Sequence, residues 1–177
     1  MKKLVSLALV LMLSLCLIAQ GEVSGNTYDN PQFGILASFP DGWKLQTSLD
    51  EPSTELGATF ELLSAEDASG IENFSINVIA LGSLAAQFPD DVILDAVQEN
   101  ITSAYADMNM SPTFERVTLN VMGSEYDTLL IVTDVYGMMT MVQRYLVVMK
   151  GEYAIEFTAT GFSEESTLSM FDSITLY

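Results

Sequence analysis

The chain has 177 residues, a formal net charge of −18 and no histidine, and 49% of its residues are hydrophobic. The absence of histidine excludes Ser-His-Asp and Cys-His catalysis and histidine-ligated metal sites. So negative a field repels nucleic acid and anionic membrane surfaces, and it attracts a protein partner with a basic surface.

The first 21 residues have the layout of a secretory signal peptide, and we predict cleavage after residue 21. Two lysines precede an apolar run, and the small residues Ala19 and Gly21 close it. The sequence therefore predicts a secreted or extracytoplasmic, cell-surface protein. A lipoprotein anchored through Cys16 is the less favoured alternative, because Leu15 stands where that signal requires a small residue. If the segment is removed, the mature chain has no thiol.

The remainder is predicted to be one domain with a short leader. Residues 22–32 lack hydrophobic periodicity, which is typical of a flexible segment. Residues 33–177 are numerous enough to bury a core without disulfides or metals. They contain no repeat, no low-complexity linker and no sign of a second domain.

Most of the domain alternates apolar and polar residues with the period of a half-buried strand. Early strands are predicted around residues 33–39, 58–62 and 74–80. Later strands, separated by short glycine turns, are predicted at 115–121, 126–135, 139–149 and 152–160. Successive strands joined by such turns predict an antiparallel meander.

Two stretches have the period of a helix instead. From Asp90, apolar residues at Leu94, Val97 and Ile101 share one helical face, and Asp90 or Asp91 suits the amino-terminal cap. Ser163 is the predicted cap of a second, short helix. The fold class is therefore α+β, an antiparallel β-sheet meander with helices packed on it.

Two motifs carry a family resemblance. FGILASFPDGWKL at 33–45 and GEYAIEFTATG at 151–161, with a central helix between them, resemble the PsbP/Mog1-like α/β/α sandwich family. That family includes small bacterial exported proteins of unassigned role. The resemblance implies a scaffold or assembly function exercised through protein–protein contacts.

The only tryptophan follows the turn in the first motif. Pro40 fixes φ at the first corner and Gly42 can adopt the positive φ that follows, so one strand reverses into the next. Trp43 is then expected to cover one end of the sheet, burying on the order of 200 Å². A tryptophan that stacks on a ligand or partner is the alternative.

Carboxylates are the remaining reactive groups. Asp91, Asp95 and Glu99 recur every four residues on the polar face of the long helix. This spacing suits Ca²⁺ or Mg²⁺, although a solvated helix face has the same pattern and is favoured. No other cofactor is expected.

A methionine-rich segment and one arginine complete the candidates. At strand spacing Met139 and Met141 are expected in the core; alternatively they form, with Met138 and Trp43, an adaptable contact surface for a partner. Arg144 lies mid-strand among apolar residues, so an inward orientation requires a carboxylate or another anion beside it.

The favoured function is a non-catalytic exported binding or accessory module that acts through protein–protein contacts. One alternative is a Ca²⁺- or Mg²⁺-binding protein that uses the acidic helix face. The second alternative is a carboxylate-only hydrolase, which requires two acids in an aromatic cleft.

Overall fold

The computed structural model describes residues 21–48, 55–121 and 123–177. All of the predicted signal peptide except Gly21 lies outside these ranges, and so does Cys16. Within them the chain forms the predicted α+β fold, and every strand pairing is antiparallel.

The larger sheet has seven strands in the order β4-β5-β6-β10-β9-β8-β7. Their bounds are β4 Lys44–Gln46, β5 Thr59–Glu66, β6 Asn73–Ala80, β7 Thr113–Val121, β8 Ser124–Val135, β9 Met139–Lys150 and β10 Tyr153–Gly161. β7 to β10 form the predicted meander. β5 contains a bulge between Glu61 and Leu63, which brings Leu62 and Leu63 both into the interior.

A second, four-stranded sheet has the order β1-β2-β3-β11. Its strands are β1 Glu22–Ser24, β2 Thr27–Asn30, β3 Ile35–Ser38 and β11 Ile174–Leu176. Residues 22–32 therefore do not form the flexible leader that the sequence predicted. Tyr28 is fully buried, Asn30 donates a hydrogen bond to its hydroxyl at 2.8 Å, and burial raises the pKa of Tyr28 to about 12. The segment is ordered because Tyr28 anchors it in the core.

The two α-helices of the described residues lie on opposite faces of the large sheet, and a short 3₁₀ helix, Gly82–Gln87, contacts β10. α1, Asp90–Asp107, packs on β8 and β9, where Leu94, Leu129 and Ile131 form a small apolar cluster. The residue at its amino-terminal cap is Pro89 rather than a predicted aspartate. α2, Glu164–Phe171, packs on β9 and β10 on the other face. Its cap is Ser163, as predicted, whose hydroxyl accepts from the Ser166 amide at 3.0 Å.

The main core lies between the large sheet, the small sheet and α2. Phe74 is its centre: its ring lies 5.8 Å from that of Phe39, 6.4 Å from that of Phe157 and 5.4 Å from that of Phe171. Phe74 and Phe157 are in the large sheet, Phe171 is in α2 and Phe39 directly follows β3 of the small sheet, so one aromatic cluster joins all three elements.

The turn that carries Trp43 connects the two sheets. The Trp43 amide donates to the Pro40 carbonyl at 3.3 Å, so Asp41 and Gly42 are the central residues, and Gly42 has a φ of 92°. β3 before the turn belongs to the small sheet and β4 after it to the large one. The turn thus leads from one sheet into the other. The prediction that Pro40 occupies the first corner is wrong, because Pro40 precedes both corners; the positive φ at Gly42 is as predicted.

Candidate functional site

Five connecting segments lie at the same end of the large sheet. The strand register shows this. Lys44 at the start of β4 is paired with Glu66 at the end of β5, and Asn73 at the start of β6 with Thr160 near the end of β10. Thr113 at the start of β7 is paired with Val132 near the end of β8. The segments that leave the sheet beyond these pairs are residues 40–43, 67–72, 108–112, 136–138 and 162–163. Seven strands at about 4.8 Å spacing make this end roughly 30 Å wide.

Large apolar side chains are concentrated at this end. Of the twelve that are exposed in the described residues, half belong to these segments or to the adjoining strand residue. We call this surface the hydrophobic end; it consists of Trp43, Ile71, Met108, Tyr136, Met138, Met139 and Phe162. Met138 is 77% exposed and Tyr136 is 64% exposed. Exposed apolar side chains concentrated in this way are typical of an interaction site.

The tip of the β8–β9 hairpin is its most prominent part. Gly137 donates to an Asp134 carboxylate oxygen at 2.6 Å, and the Tyr136 hydroxyl donates to the Met108 carbonyl at 3.1 Å. Tyr136 has a left-handed φ of 55°, which is unusual for a residue other than glycine. The first contact closes the hairpin, and the second holds its tip against the end of α1.

The structure corrects the predicted core placement of the methionines. Met138 and Met139 are exposed, and Met141 is half-buried. At the hairpin tip the Tyr136 hydroxyl contacts the Met108 carbonyl, directly after the last residue of α1, so Met139 lies beyond the part of the sheet that the helix covers. The alternative, a contact surface of methionines with Trp43, fits this exposure, and the same end of the sheet carries all four residues.

Trp43 is half-buried and borders a cleft. Its ring stacks on that of Phe39, with centroids 5.5 Å apart and an interplanar angle of 24°. The indole thus packs on the core, as the structural interpretation predicted. The cleft, of about 400 Å³, lies between residues 39–43 and α2, and the Glu72 carboxylate and several serines also line it.

The charge around the hydrophobic end is negative. Its segments and the two residues on either side of each contribute eight acids and one lysine, Lys44. The acids are Asp41, Glu66, Asp67, Glu72, Asp107, Asp134, Glu164 and Glu165. Hydrogen bonds from the Ser69 hydroxyl lower the pKa of Asp67, so that carboxylate stays ionised.

Every lysine and arginine in the described ranges has a partner within the chain. Lys44 pairs with Glu66 at 3.4 Å and Arg116 with Asp95 at 2.5 Å. Lys150 donates to the Phe33 carbonyl at 2.8 Å. The positive charges are thus already compensated, which leaves the acids to dominate the surface field.

Arg144 points inward and is 3% exposed. Its guanidinium donates to the Thr128 hydroxyl at 3.3 Å, and the Glu164 carboxylate lies 4.0 Å away. Burial lowers the pKa of Arg144, while Glu164 and Glu115 act in the opposite direction. The carboxylate partner that an inward orientation requires is therefore Glu164, at the start of α2.

The acidic row of α1 does not gather into a metal centre. No group of three or more acids, histidines or cysteines in the described ranges is arranged to hold a metal ion. Of Asp91, Asp95 and Glu99, the middle residue is paired with Arg116. Asp95 and Glu99 line a shallow surface depression with polar neighbours. Calcium or magnesium binding by this face stays a prediction.

The aromatic cleft beside Trp43 is lined by a single carboxylate, that of Glu72. Acid–base hydrolysis of a glycosidic bond by the usual mechanism needs two. Glu156, a half-buried acid, is instead on the α1 face of β10, where the Thr158 hydroxyl donates to it at 3.5 Å. Burial raises the pKa of Glu156.

Glu156→Gln is expected to stabilise the protein at neutral pH. Because the pKa of Glu156 is higher in the folded state, the folded protein binds this proton more tightly than the unfolded chain does. The free energy of unfolding of the parent therefore falls as the pH rises from the unfolded-state pKa through the folded-state pKa of Glu156. The gain should shrink in acid, when the parent carboxyl is protonated. Urea unfolding at pH 7 and near pH 4 measures it, with exposed Glu125→Gln as control. A variant less stable than the parent at pH 7 would contradict this assignment.

No protein-family model and no curated protein matches the sequence. Among solved structures, the chain is similar to the solution structure of cyanobacterial PsbP (CyanoP) from Synechocystis sp. PCC 6803. The TM-score is 0.57 and the identity 16%, and the match covers 89% of this chain and 98% of that chain. The protein has a PsbP-like fold.

A structure from Bacteroides thetaiotaomicron VPI-5482 is also similar, with a TM-score of 0.49 and 11% identity over 88% of this chain and 49% of that chain. The PsbP-like match confirms the resemblance that the sequence motifs indicated. It shows the fold, and a fold alone does not assign a function. In the described part of this PsbP-like chain, no helix has the length and apolar character needed to cross a membrane.

Sequence reasoning missed several residues of the hydrophobic end. The sequence did not predict that one end of the sheet exposes Phe162, Ile71 and Met108, because strand register places their segments at the same end. One signal was available: the tip of a hairpin usually carries polar or turn-forming residues, yet Tyr136 and Met138 flank its glycine.

Proposed function

We propose that this protein is a non-catalytic accessory module that acts outside the cytoplasm by binding a partner protein through the hydrophobic end. The observation that carries the proposal is the joint exposure of Met138, Tyr136 and Phe162 on one end of the sheet. Flexible thioethers and aromatic rings are suited to the apolar centre of a protein interface.

The charge distribution narrows the class of partner. Acids surround the apolar side chains, and each lysine and arginine of the described residues already has a partner within the chain. A partner with an apolar centre and a basic rim complements this surface, and such complementarity accelerates association at low salt. Nucleic acids and anionic lipid surfaces are disfavoured by the same charge.

Two further features support the location and the role. The amino-terminal segment has the layout of a secretory signal peptide, which favours export. The PsbP-like fold agrees with the scaffold or assembly role that the sequence resemblance implies.

A photo-crosslinking residue at Met138 or Phe162 tests the proposal in the native organism's envelope. We expect both positions to trap the same protein, while Glu125, exposed at the opposite end of the sheet, traps none of it. Trapping alone is insufficient, so the partner is then purified and its affinity measured.

Met138→Glu should weaken binding of the purified partner by about tenfold or more, because it introduces a charge into the apolar centre. Glu125→Gln should bind like the parent. Equal trapping from all three positions, or an unchanged affinity in Met138→Glu, would overturn the proposed function.

A further inference from the structure

The cleft beside Trp43 has a composition that selects a positively charged occupant. It opens at the hydrophobic end between the turn at residues 40–43 and α2, and its volume is about 400 Å³. Phe39, Pro40 and Trp43 form its apolar wall, and no lysine or arginine lines it. This volume accommodates one long side chain rather than a domain or a helix.

Three serines of the opposite wall present acceptors. The hydroxyl of Ser166 donates to the Ser163 carbonyl at 3.1 Å, that of Ser169 to the Ser166 carbonyl at 2.8 Å, and that of Ser173 to the Met170 carbonyl at 2.6 Å. A serine hydroxyl has one hydrogen to donate. Since that hydrogen is used within the chain, the Ser169 and Ser173 oxygens offer lone pairs to a ligand that donates. The Ser166 oxygen already accepts from the Ser163 amide at 3.4 Å and offers its remaining lone pair.

The Glu72 carboxylate adds a negative charge at the same place. It lies against the Gly161 backbone: a Cβ built on Gly161 would be 3.5 Å from Glu72 Oε1. Its side chain forms no ion pair with a lysine or arginine of the described residues, each of which is engaged elsewhere. A cation that donates several hydrogen bonds complements this set of groups.

We infer that the cleft receives an arginine side chain of the partner, an inference that rests on the proposed function and adds the chemistry of its recognition. A guanidinium has five N–H donors, which match the carboxylate and the serine oxygens. Its planar face is attracted to an indole ring. The arginine thereby docks beside the apolar contacts of the hydrophobic end.

The single tryptophan reports directly on the cleft. The probe is acetyl-Gly-Arg-Gly-amide, titrated into the purified protein while Trp43 fluorescence is followed. The matched control peptide contains citrulline, which keeps the shape of arginine and lacks its charge. We expect a saturable emission change with the arginine peptide, weakened by added salt, and none with the citrulline peptide at the same concentrations.

Glu72→Gln should weaken the affinity for the arginine peptide by about tenfold, because the substitution replaces a charge-assisted hydrogen bond with a neutral one. Glu125→Gln should bind it like the parent, and thermal unfolding verifies that both variants are folded. An equal response to the citrulline peptide, or an unaltered affinity in Glu72→Gln, overturns the inference.

The two hypotheses fail separately. The peptide titration needs no partner, and crosslinking from Met138 and Phe162 does not involve Glu72. If crosslinking from Met138 and Phe162 traps one partner but the arginine peptide does not bind, the proposed function stands and the inference about arginine is wrong. If the arginine peptide binds but crosslinking traps no partner specifically from Met138 and Phe162, the proposed function is wrong.

Discussion

Phe74→Ala should lower the free energy of unfolding by about 3–5 kcal/mol, the largest loss we expect from one side chain. Phe74 is fully buried, and its ring contacts those of Phe39, Phe157 and Phe171. Removing it leaves a cavity where the two sheets and α2 meet. Equilibrium urea unfolding, followed by circular dichroism, measures the loss.

Phe162→Ala is the matched control, since Phe162 is 45% exposed at the hydrophobic end. It should cost less than about 1 kcal/mol, because the ring keeps much of its contact with water in the folded state. If both variants lose the same stability, Phe74 is not the centre of the core.

Gly34→Ala should destabilise the fold by about 2–4 kcal/mol, which combines a backbone cost with a steric one. Gly34 has a φ of 60°, and an added Cβ would overlap the Tyr177 carbonyl and the Lys150 amino group. The Gly34 carbonyl also accepts from the Tyr177 amide at 2.9 Å, so relief of the clash disturbs the pairing of β3 with β11.

Gly25→Ala separates the two contributions. Gly25 has a nearly identical φ of 63°, but a Cβ there meets nothing within 4 Å. Gly25→Ala should lower the free energy of unfolding by about 1 kcal/mol, the cost of a left-handed backbone conformation alone. Thermal and urea unfolding of the two variants side by side measure the difference, and equal losses would show that the contact with Tyr177 is unimportant.

Strands with a long, regular alternation could be predicted from the sequence. In β6, Phe74, Ile76, Val78 and Ala80 all face the core, as their spacing indicated. The glycine turns of the meander and the Ser163 cap were predictable for the same reason: each depends on local residues only.

The second sheet could not be predicted, because its information is not local. β1, β2 and β11 are three or four residues long, too short to show a period. β11 pairs with β3 from the far end of the chain, Ile174 opposite Ala37. Residues 22–32 looked like a leader because Tyr28 is their only buried apolar side chain.

The candidate site was predicted in part. Trp43 and Met138 were identified by composition, since a lone tryptophan and a methionine at a hairpin tip are both unusual. Glu72 and Phe162 were missed, because nothing near them in sequence distinguishes an acid or an aromatic at a sheet end from one in any loop. Register and the position of α2 bring them together.

Hydrogen–deuterium exchange of this protein, alone and with its purified partner, tests the central claim most directly. We expect partner-dependent protection at residues 67–72, 108–112, 136–139 and 162–164. The turns at 123–124 and 151–152, at the other end of the same sheet, should exchange at unchanged rates. Protection confined to those distant turns, or to the exposed face of α1, would contradict a docking surface at the hydrophobic end.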